Sequence, residues 1–144
     1  MIDISKQARN RLVIMTPFLD KVGMEWLLFL FENTKPSVER LLIIQNKESI
    51  HDLLCQFEDR LRTLKIKLID YYLIWDNGSG KQSIETFHAK VIMADQTAAY
   101  VGSSNMTWAS LSRSIEMGAY IHGAAAWPIS SVNDGIIASC NACS

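Results

Sequence analysis

The stretch FHAKVIMADQTAAYVGSSN, residues 87–105, decides the fold of this chain. Apolar and β-branched residues dominate residues 86–93 and 98–104, which predicts two strands joined by a short polar turn. Side chains on a strand point alternately to its two faces, so His88 and Lys90 lie on the same face. The sequence therefore predicts a β-hairpin that carries chemically active side chains at its open end.

The register of this hairpin determines which polar side chains meet. If the antiparallel pair is centred on residues 96–97, Lys90 lies opposite Ser103 and His88 lies opposite Asn105. Directly opposed side chains have Cβ atoms about 5 Å apart. A register that differs by one residue would send the same groups to opposite faces of the sheet. We therefore predict that four polar groups converge, on condition that this register holds.

These residue types suit the chemistry of a phosphodiester. The imidazole of His88 can attack phosphorus, and the ammonium of Lys90 can balance the charge that develops on the phosphate. The hydroxyl of Ser103 and the amide of Asn105 can hold the non-bridging oxygens. Glu116, a short helix further along the chain, can orient the imidazole ring.

This pattern resembles the signature of the phospholipase D superfamily, in which H-x-K precedes a spaced aspartate and a G-S-x-N or G-G-x-N sequence. The chain fits that signature without insertion or deletion at His88, Lys90, Asp95, Gly102, Ser103 and Asn105. The family's downstream glutamate corresponds to Glu116, although the asparagine that often accompanies it is absent. An isolated H-x-K is common by chance, whereas the extended pattern is specific.

The resemblance implies a mechanism and an assembly. It implies that His88 is the nucleophile and that Glu116 orients its ring. It implies that Lys90, Ser103 and Asn105 bind the phosphate, with no metal and no cofactor. It also implies that two motifs meet across a twofold axis, in a homodimer or with a second motif-bearing domain. One imidazole attacks while the other protonates the leaving oxygen, because a single ring cannot be base and acid at once.

Several of these residues also have a structural interpretation. Ser103 and Asn105 can cap a helix, which is compatible with phosphate binding because a helix start also directs N–H groups at an anion. Asp95 opens a turn, a common position for aspartate, so a structural role is favoured there. Gly102 is likewise assigned to the structure of the motif. Trp108 is interpreted as a packing residue rather than a base-stacking platform.

Composition limits the class of protein. The chain has 144 residues, of which 49% are hydrophobic and 20% charged, with a net charge of −1. These values predict one globular domain, residues 1–144, and argue against a broadly basic nucleic-acid coat. The sequence predicts neither a membrane span nor a signal peptide, and its three cysteines favour the cytoplasm. Cys140-x-x-Cys143 has no second pair and is interpreted as structural or incidental.

Strand and helix patterns alternate along the chain and predict an α/β fold, a mixed sheet flanked by helices, as in phospholipase D-like proteins. The predicted strands are residues 11–15, 40–45, 65–70, 86–93, 98–104 and 116–121, and the predicted helices are residues 4–10, 22–32, 48–64, 106–111 and 136–138. Superfamily members commonly begin with a strand before the first of these helices. We therefore expect either a missing edge strand or a portion of a longer protein.

The motif specifies a phosphodiester without specifying which one. The small size and the lack of a basic amphipathic helix favour nucleic acid over phospholipid, whereas a pI of about 6.3 argues against tight non-specific DNA binding. A local basic patch is predicted from Lys81, Lys90, Arg113 and Arg11, with the loop at residues 78–81 as the substrate rim. We predict a metal-independent nuclease. The alternatives are a phospholipid hydrolase or phosphatidyltransferase and, ranked lowest, an inactive dimerising or binding domain.

Overall fold

The computed structural model describes residues 1–71, 73–76, 78 and 82–142. Its strands are β1 (Arg11–Met15), β2 (Glu39–Ile44), β3 (Ile66–Asp70), β4 (Leu73–Asp76), β5 (Gln82–Glu85), β6 (Lys90–Ala94), β7 (Ala98–Gly102) and β8 (Gly118–His122). Its helices are α1 (Ile2–Gln7), α2 (Lys21–Glu32), α3 (His51–Gln56), α4 (Glu58–Thr63), α5 (Trp108–Ser112) and α6 (Trp127–Ala142), with 3-10 turns at Lys47–Ile50 and Gly123–Ala126.

Six of the strands form one mixed sheet in the order β3-β2-β1-β6-β7-β8. The first three pair in parallel, because helices cross between them, and the other neighbours pair antiparallel. Strands β4 and β5 form a separate antiparallel pair. The predicted α/β fold with a mixed sheet and flanking helices is therefore confirmed.

The central strands β1 and β6 are buried on both faces, which explains why they are apolar without alternation, whereas the edge strand β8 is largely exposed. Ile14 and Ile92 lie in a core cluster with residues of α2, whereas Val13 and Met93 lie in a second cluster on the opposite face. Residues of α6 pack against that second cluster. The sheet thus sits between two helical layers. No helix within the described part of the chain is long and apolar enough to cross a membrane.

Several predicted boundaries were wrong. The helix predicted at residues 48–64 is interrupted, with α3 ending before Phe57 and α4 beginning after it. The ring of Phe57 is buried in the core, and its N–H donates to the carbonyl of Leu54 in a tightened turn. Both helices still present one apolar side to the core, because Leu54, Phe57 and Leu61 are all buried. The last helix, α6, is much longer than the three residues predicted.

The predicted hairpin register was also wrong, by one residue. Lys90 pairs with Gly102, not with Ser103, and Ala94 pairs with Ala98. The turn therefore contains three residues rather than being centred on two, and Asp95 enters it in the left-handed region with φ 53°. Strand β6 begins only at Lys90, so His88 lies in an irregular segment before the strand. A strand-based pairing of His88 with Asn105 does not occur.

Candidate active site

One end of the sheet gathers the segments that carry the predicted site residues. Lys90 begins β6, Gly102 ends β7 and Gly118 begins β8, and these three residues pair across the sheet. Strand β1 also ends here, because Met15 pairs with Val91. The segments before β6, after β7 and before β8 therefore leave the sheet side by side. The predicted residues thus lie on neighbouring segments at one end of the sheet, although the predicted register was incorrect.

His88 and Lys90 are in direct contact. The Lys90 ammonium lies 2.9 Å from His88 Nδ1 and 3.2 Å from Nε2, and it donates to the His88 backbone carbonyl at 2.8 Å. Lys90 is buried, whereas His88 is exposed. Burial lowers the pKa of Lys90, and the carboxylate of Glu116 opposes that shift. The site therefore presents a desolvated cation beside an accessible imidazole.

Glu116 is held by Ser103. The Ser103 hydroxyl donates to the Glu116 carboxylate and accepts the Met117 N–H at 3.1 Å. The backbone N–H of Ser103 donates to the Met117 carbonyl at 2.9 Å. The carboxylate therefore contacts Ser103 rather than the His88 ring in this single chain, and the orienting role of Glu116 stays a prediction. Its negative charge nevertheless acts on Lys90, raising the pKa that burial lowers.

Asn105 is half-buried and carries an amide oxygen with spare hydrogen-bonding capacity. Its Oδ1 atom is buried and has no hydrogen-bond partner among the described residues. The amide oxygen and nitrogen exchange places by a half turn, so this position can also present an N–H donor to an anion. The next residue, Met106, donates its N–H to the hydroxyl of buried Thr16 at 3.3 Å. Asn105 is thus held against the carboxyl end of β1.

Asp20 and Gly23 fix the same segment, and sequence reasoning missed this role. Asp20 caps α2 by accepting the Gly23 N–H at 2.8 Å, and its second oxygen accepts the Trp108 N–H at 2.7 Å. Its own N–H donates to the Met106 carbonyl at 3.1 Å. A Cβ on Gly23 would overlap that carbonyl. The available sequence signal was the helix-capping position of Asp20, which does not indicate its long-range partner.

Gly102 has a steric function. A Cβ at Gly102 or at Gly118 would overlap the phenol of Tyr100, whose side chain extends over both glycines. Burial raises the pKa of Tyr100, and the neighbouring Tyr120 and Glu116 raise it further. This explains why a glycine stands at the end of β7. Tyr100 itself was not singled out from the sequence.

Asp95 lies at the opposite end of β6 from Lys90. Its carboxylate accepts the backbone N–H groups of Arg9, Asn10 and Arg11 at 2.8 to 3.0 Å. Burial by itself would raise the pKa of Asp95, but these hydrogen bonds and the charge of Arg9 lower it overall. This placement supports a structural role for Asp95, away from the reacting groups.

Contacts of Tyr71 hold the segment that leads into His88. The Tyr71 hydroxyl donates to the carboxylate of Glu85, the last residue of β5, and the Tyr71 ring packs edge-on against Phe87. The bond to Glu85, aided by burial, raises the pKa of Tyr71 to about 12. The irregular segment before β6 is thereby anchored immediately before the candidate nucleophile. No local pattern in the sequence indicates this contact.

The predicted basic patch is only partly present at this end. Arg11 does not contribute to such a patch, because its guanidinium pairs with Asp134 at 2.6 Å, near the Asp95 turn at the other end of β6. Arg113 instead stacks over the Trp108 ring, 4.4 Å from its centre. Lys81, like most of the loop at residues 78–81 and like Cys143, lies outside the described residues. No cluster of three or more metal-ligating side chains occurs in the described part of the chain.

The fold and the grouping of His88, Lys90, Ser103, Asn105 and Glu116 at one sheet end define a phospholipase D-like domain. The profile of a family described as "Cardiolipin synthase, PLD-like domain" matches residues 1–131. The chain belongs to this family, within the phospholipase D superfamily of phosphodiesterases.

Solved structures share the fold. NucT from Helicobacter pylori is 14% identical with a TM-score of 0.69, covering 96% of this chain and 86% of its own. Nuc, a phospholipase D family member from Salmonella typhimurium, is 17% identical with a TM-score of 0.61, covering 92% and 80%. Phosphatidylserine synthase from Haemophilus influenzae is 16% identical with a TM-score of 0.61, covering 96% and 35%. Comparison with curated protein sequences gave no significant match.

Proposed function

We propose that this protein is a metal-independent nuclease that cleaves phosphodiesters through a phosphohistidine on His88. The observation that carries this proposal is the contact of the buried Lys90 ammonium with the His88 ring at 2.9 Å. A desolvated cation beside an exposed nucleophile suits a reaction in which charge develops on phosphate oxygens. Ser103 and Asn105 supply hydrogen-bonding groups at the same end of the sheet.

The reaction proceeds in two balanced steps. A His88 ring nitrogen attacks phosphorus, a P–N bond forms, and the P–O bond to the leaving alcohol breaks as that oxygen takes a proton from a second imidazolium. Water then attacks the phosphohistidine, gives its proton to the second imidazole and releases a phosphomonoester as the P–N bond breaks. Lys90 stabilises the charge in both steps. Glu116 supports the charge on Lys90 and, in the assembled site, orients the His88 ring, which it does not contact in the single chain.

The second imidazole comes from a second copy of this chain, because one motif supplies one such histidine. Ile115 and Met117 support this assembly. They flank Glu116 in sequence, yet Ile115 is fully exposed and Met117 is 81% exposed. Apolar side chains beside a site that needs a second copy are suited to a twofold contact.

Nucleic acid is the preferred substrate class. The chain spans 86% and 80% of NucT and Nuc, the smaller neighbours, but only 35% of phosphatidylserine synthase. A phospholipid hydrolase or phosphatidyltransferase is the second candidate. It is favoured by the family description, which names cardiolipin synthase, and by the exposed aliphatic side chains of Ile115 and Met117.

The test measures hydrolysis of bis-p-nitrophenyl phosphate in excess EDTA, followed by single-stranded DNA, duplex DNA, RNA and phosphatidylcholine vesicles. Activity on the small diester and on nucleic acid is expected, with a covalent phosphoryl adduct that disappears in His88→Ala. His51→Ala is the matched control, because His51 is exposed on α3. Loss of activity in EDTA with rescue by magnesium or zinc would contradict the mechanism. Inactivity on every diester would favour the binding-domain alternative.

A further inference from the structure

Two exposed aromatic rings lie on segments that carry or adjoin the candidate site, and one of them contacts the candidate nucleophile. Phe18 follows the end of β1, is 50% exposed and packs edge-on against His88, with ring centres 6.2 Å apart and planes at 73°. Trp108 begins α5, three residues after Asn105, and is 43% exposed, which disfavours the packing role interpreted from the sequence. Neither ring is needed for the proton and phosphoryl transfers assigned above. Aromatic rings that are exposed at a reactive site are suited to bind a ligand with a flat, apolar surface.

The two rings are held on one rigid support. Leu19 forms a bridge with Met106, so the residue after Phe18 is paired with the residue after Asn105. The Thr16 hydroxyl joins the same two segments, donating to the Phe18 carbonyl at 2.8 Å and accepting the Met106 N–H. The backbone positions of both rings are thus fixed before any ligand binds. Such preorganisation lowers the entropic cost of binding.

Trp108 carries a cation on its ring. The Arg113 guanidinium lies 4.4 Å from the Trp108 ring centre, within the range of a cation–π contact. A ring with a guanidinium on it, next to a phosphate-handling site, matches the composition of surfaces that bind single-stranded nucleic acid. Those surfaces combine stacking rings with cations that follow the backbone.

We propose that Phe18 and Trp108 form a base-stacking platform, which makes unpaired nucleic acid the substrate class of this site. This inference rests on the proposed nuclease function. Successive bases stack on the two rings while the phosphate between or beside them lies at His88 and Lys90. A duplex hides the base faces from both rings, so single strands are preferred.

The experiment measures binding by fluorescence anisotropy, in the His88→Asn background so that no cleavage occurs. Its ligands are a labelled single-stranded oligonucleotide of mixed sequence, an abasic oligonucleotide of equal length, and a blunt duplex. The abasic strand keeps the phosphates and removes the bases. Tighter binding of the normal single strand than of the other two ligands is expected.

Phe18→Ala and Trp108→Ala should each weaken binding of the normal strand by about five- to a hundredfold, the range for loss of one stacked base. The same two substitutions should weaken binding of the abasic strand much less, because that strand has no bases to stack. Phe18→Tyr and Trp108→Phe should restore most of the affinity. Phe29→Ala and Trp127→Ala are the matched controls, because both remove exposed rings from other helices and should have no effect.

Equal binding of the normal and abasic strands would overturn the platform, as would unchanged affinity in both alanine variants. The same variants are tested on vesicles of phosphatidylcholine and phosphatidylglycerol. Loss of vesicle binding with oligonucleotide binding unchanged would assign the rings to a lipid surface and overturn the proposal. The nuclease proposal is tested separately: it fails if the unmutated chain does not hydrolyse phosphodiesters.

Discussion

The Lys90 ammonium donates a hydrogen bond to the backbone carbonyl of His88, 2.8 Å away, while it also contacts the His88 ring. This geometry arises because β6 begins only at Lys90, so the chain before it is not held in a strand and turns back toward the lysine side chain. An extended strand would hold the two side chains parallel. The irregular segment therefore brings the candidate nucleophile and its cation together.

The charge of Lys90 predicts a specific pH dependence. Burial lowers its pKa and Glu116 opposes this, so Glu116→Gln should lower the pKa further. The alkaline limb of kcat/KM for diester hydrolysis should then move to lower pH. Glu39→Gln, which removes a carboxylate paired with Lys67 instead, should leave the limb in place. A limb that stays or moves to higher pH in Glu116→Gln would show that Lys90 does not control it.

Gly23→Ala should destabilise the protein by about 1–3 kcal/mol or more, because the new Cβ overlaps the Met106 carbonyl and must displace backbone. The same displacement moves Asn105, so activity should fall as well. Gly135→Ala in α6 meets no atom within 4 Å and should stabilise by about 0.5–1 kcal/mol. Urea unfolding of both variants checks this. Equal effects of the two substitutions would contradict the packing argument.

Asp95→Asn should destabilise the protein by about 1–3 kcal/mol at neutral pH, because three backbone N–H groups lose a charged acceptor. The pKa of Asp95 is lowered on folding, so its stabilisation is present above the ordinary value of 3.8 and is lost as the pH falls through the folded value. Unfolding free energies of wild type and variant should therefore converge in that acidic range. Asp52→Asn, at an exposed position, is the control.

Ile115→Asp combined with Met117→Asp should weaken self-association, measured by sedimentation. At concentrations where the variant is monomeric, diester hydrolysis should fall by about 10²-fold or more, the contribution of one general acid. Raising the protein concentration should recover part of it. Val132→Asp, an equivalent change at an exposed position on α6, should have neither effect. A fully active monomer would rule out the composite site.

Tyr71 and Glu85 should be energetically coupled. Tyr71→Phe and Glu85→Gln each break the hydrogen bond that anchors the segment before His88. A double-mutant cycle on the free energy of unfolding should give a coupling energy of about 1 kcal/mol. Hydrogen exchange at residues 85–89 should accelerate equally in all three variants. Strictly additive effects would mean that the contact does not stabilise this segment.

Local patterns in the sequence located the six strands of the main sheet, but not β4, β5 or most of α6. Apolar runs that are buried on both faces predict strands, and β1 was predicted at its observed bounds. A helix was predicted at residues 48–64, and the structure has α3 and α4 there, but the break at Phe57 was not predicted. The sequence also supplied the residue types of the candidate site, because the motif is contiguous along the chain.

Only the tertiary structure decided how those elements meet. The hairpin register depends on Asp95, whose carboxylate binds backbone N–H groups of Arg9 and Arg11 more than 80 residues away. The site depends likewise on Gly23, which admits the distant Met106 carbonyl. Side-chain periodicity reports how a segment is buried, but it carries no information about the remote backbone groups that complete its hydrogen bonds. Those long-range bonds fix the turn, the register and the position of His88.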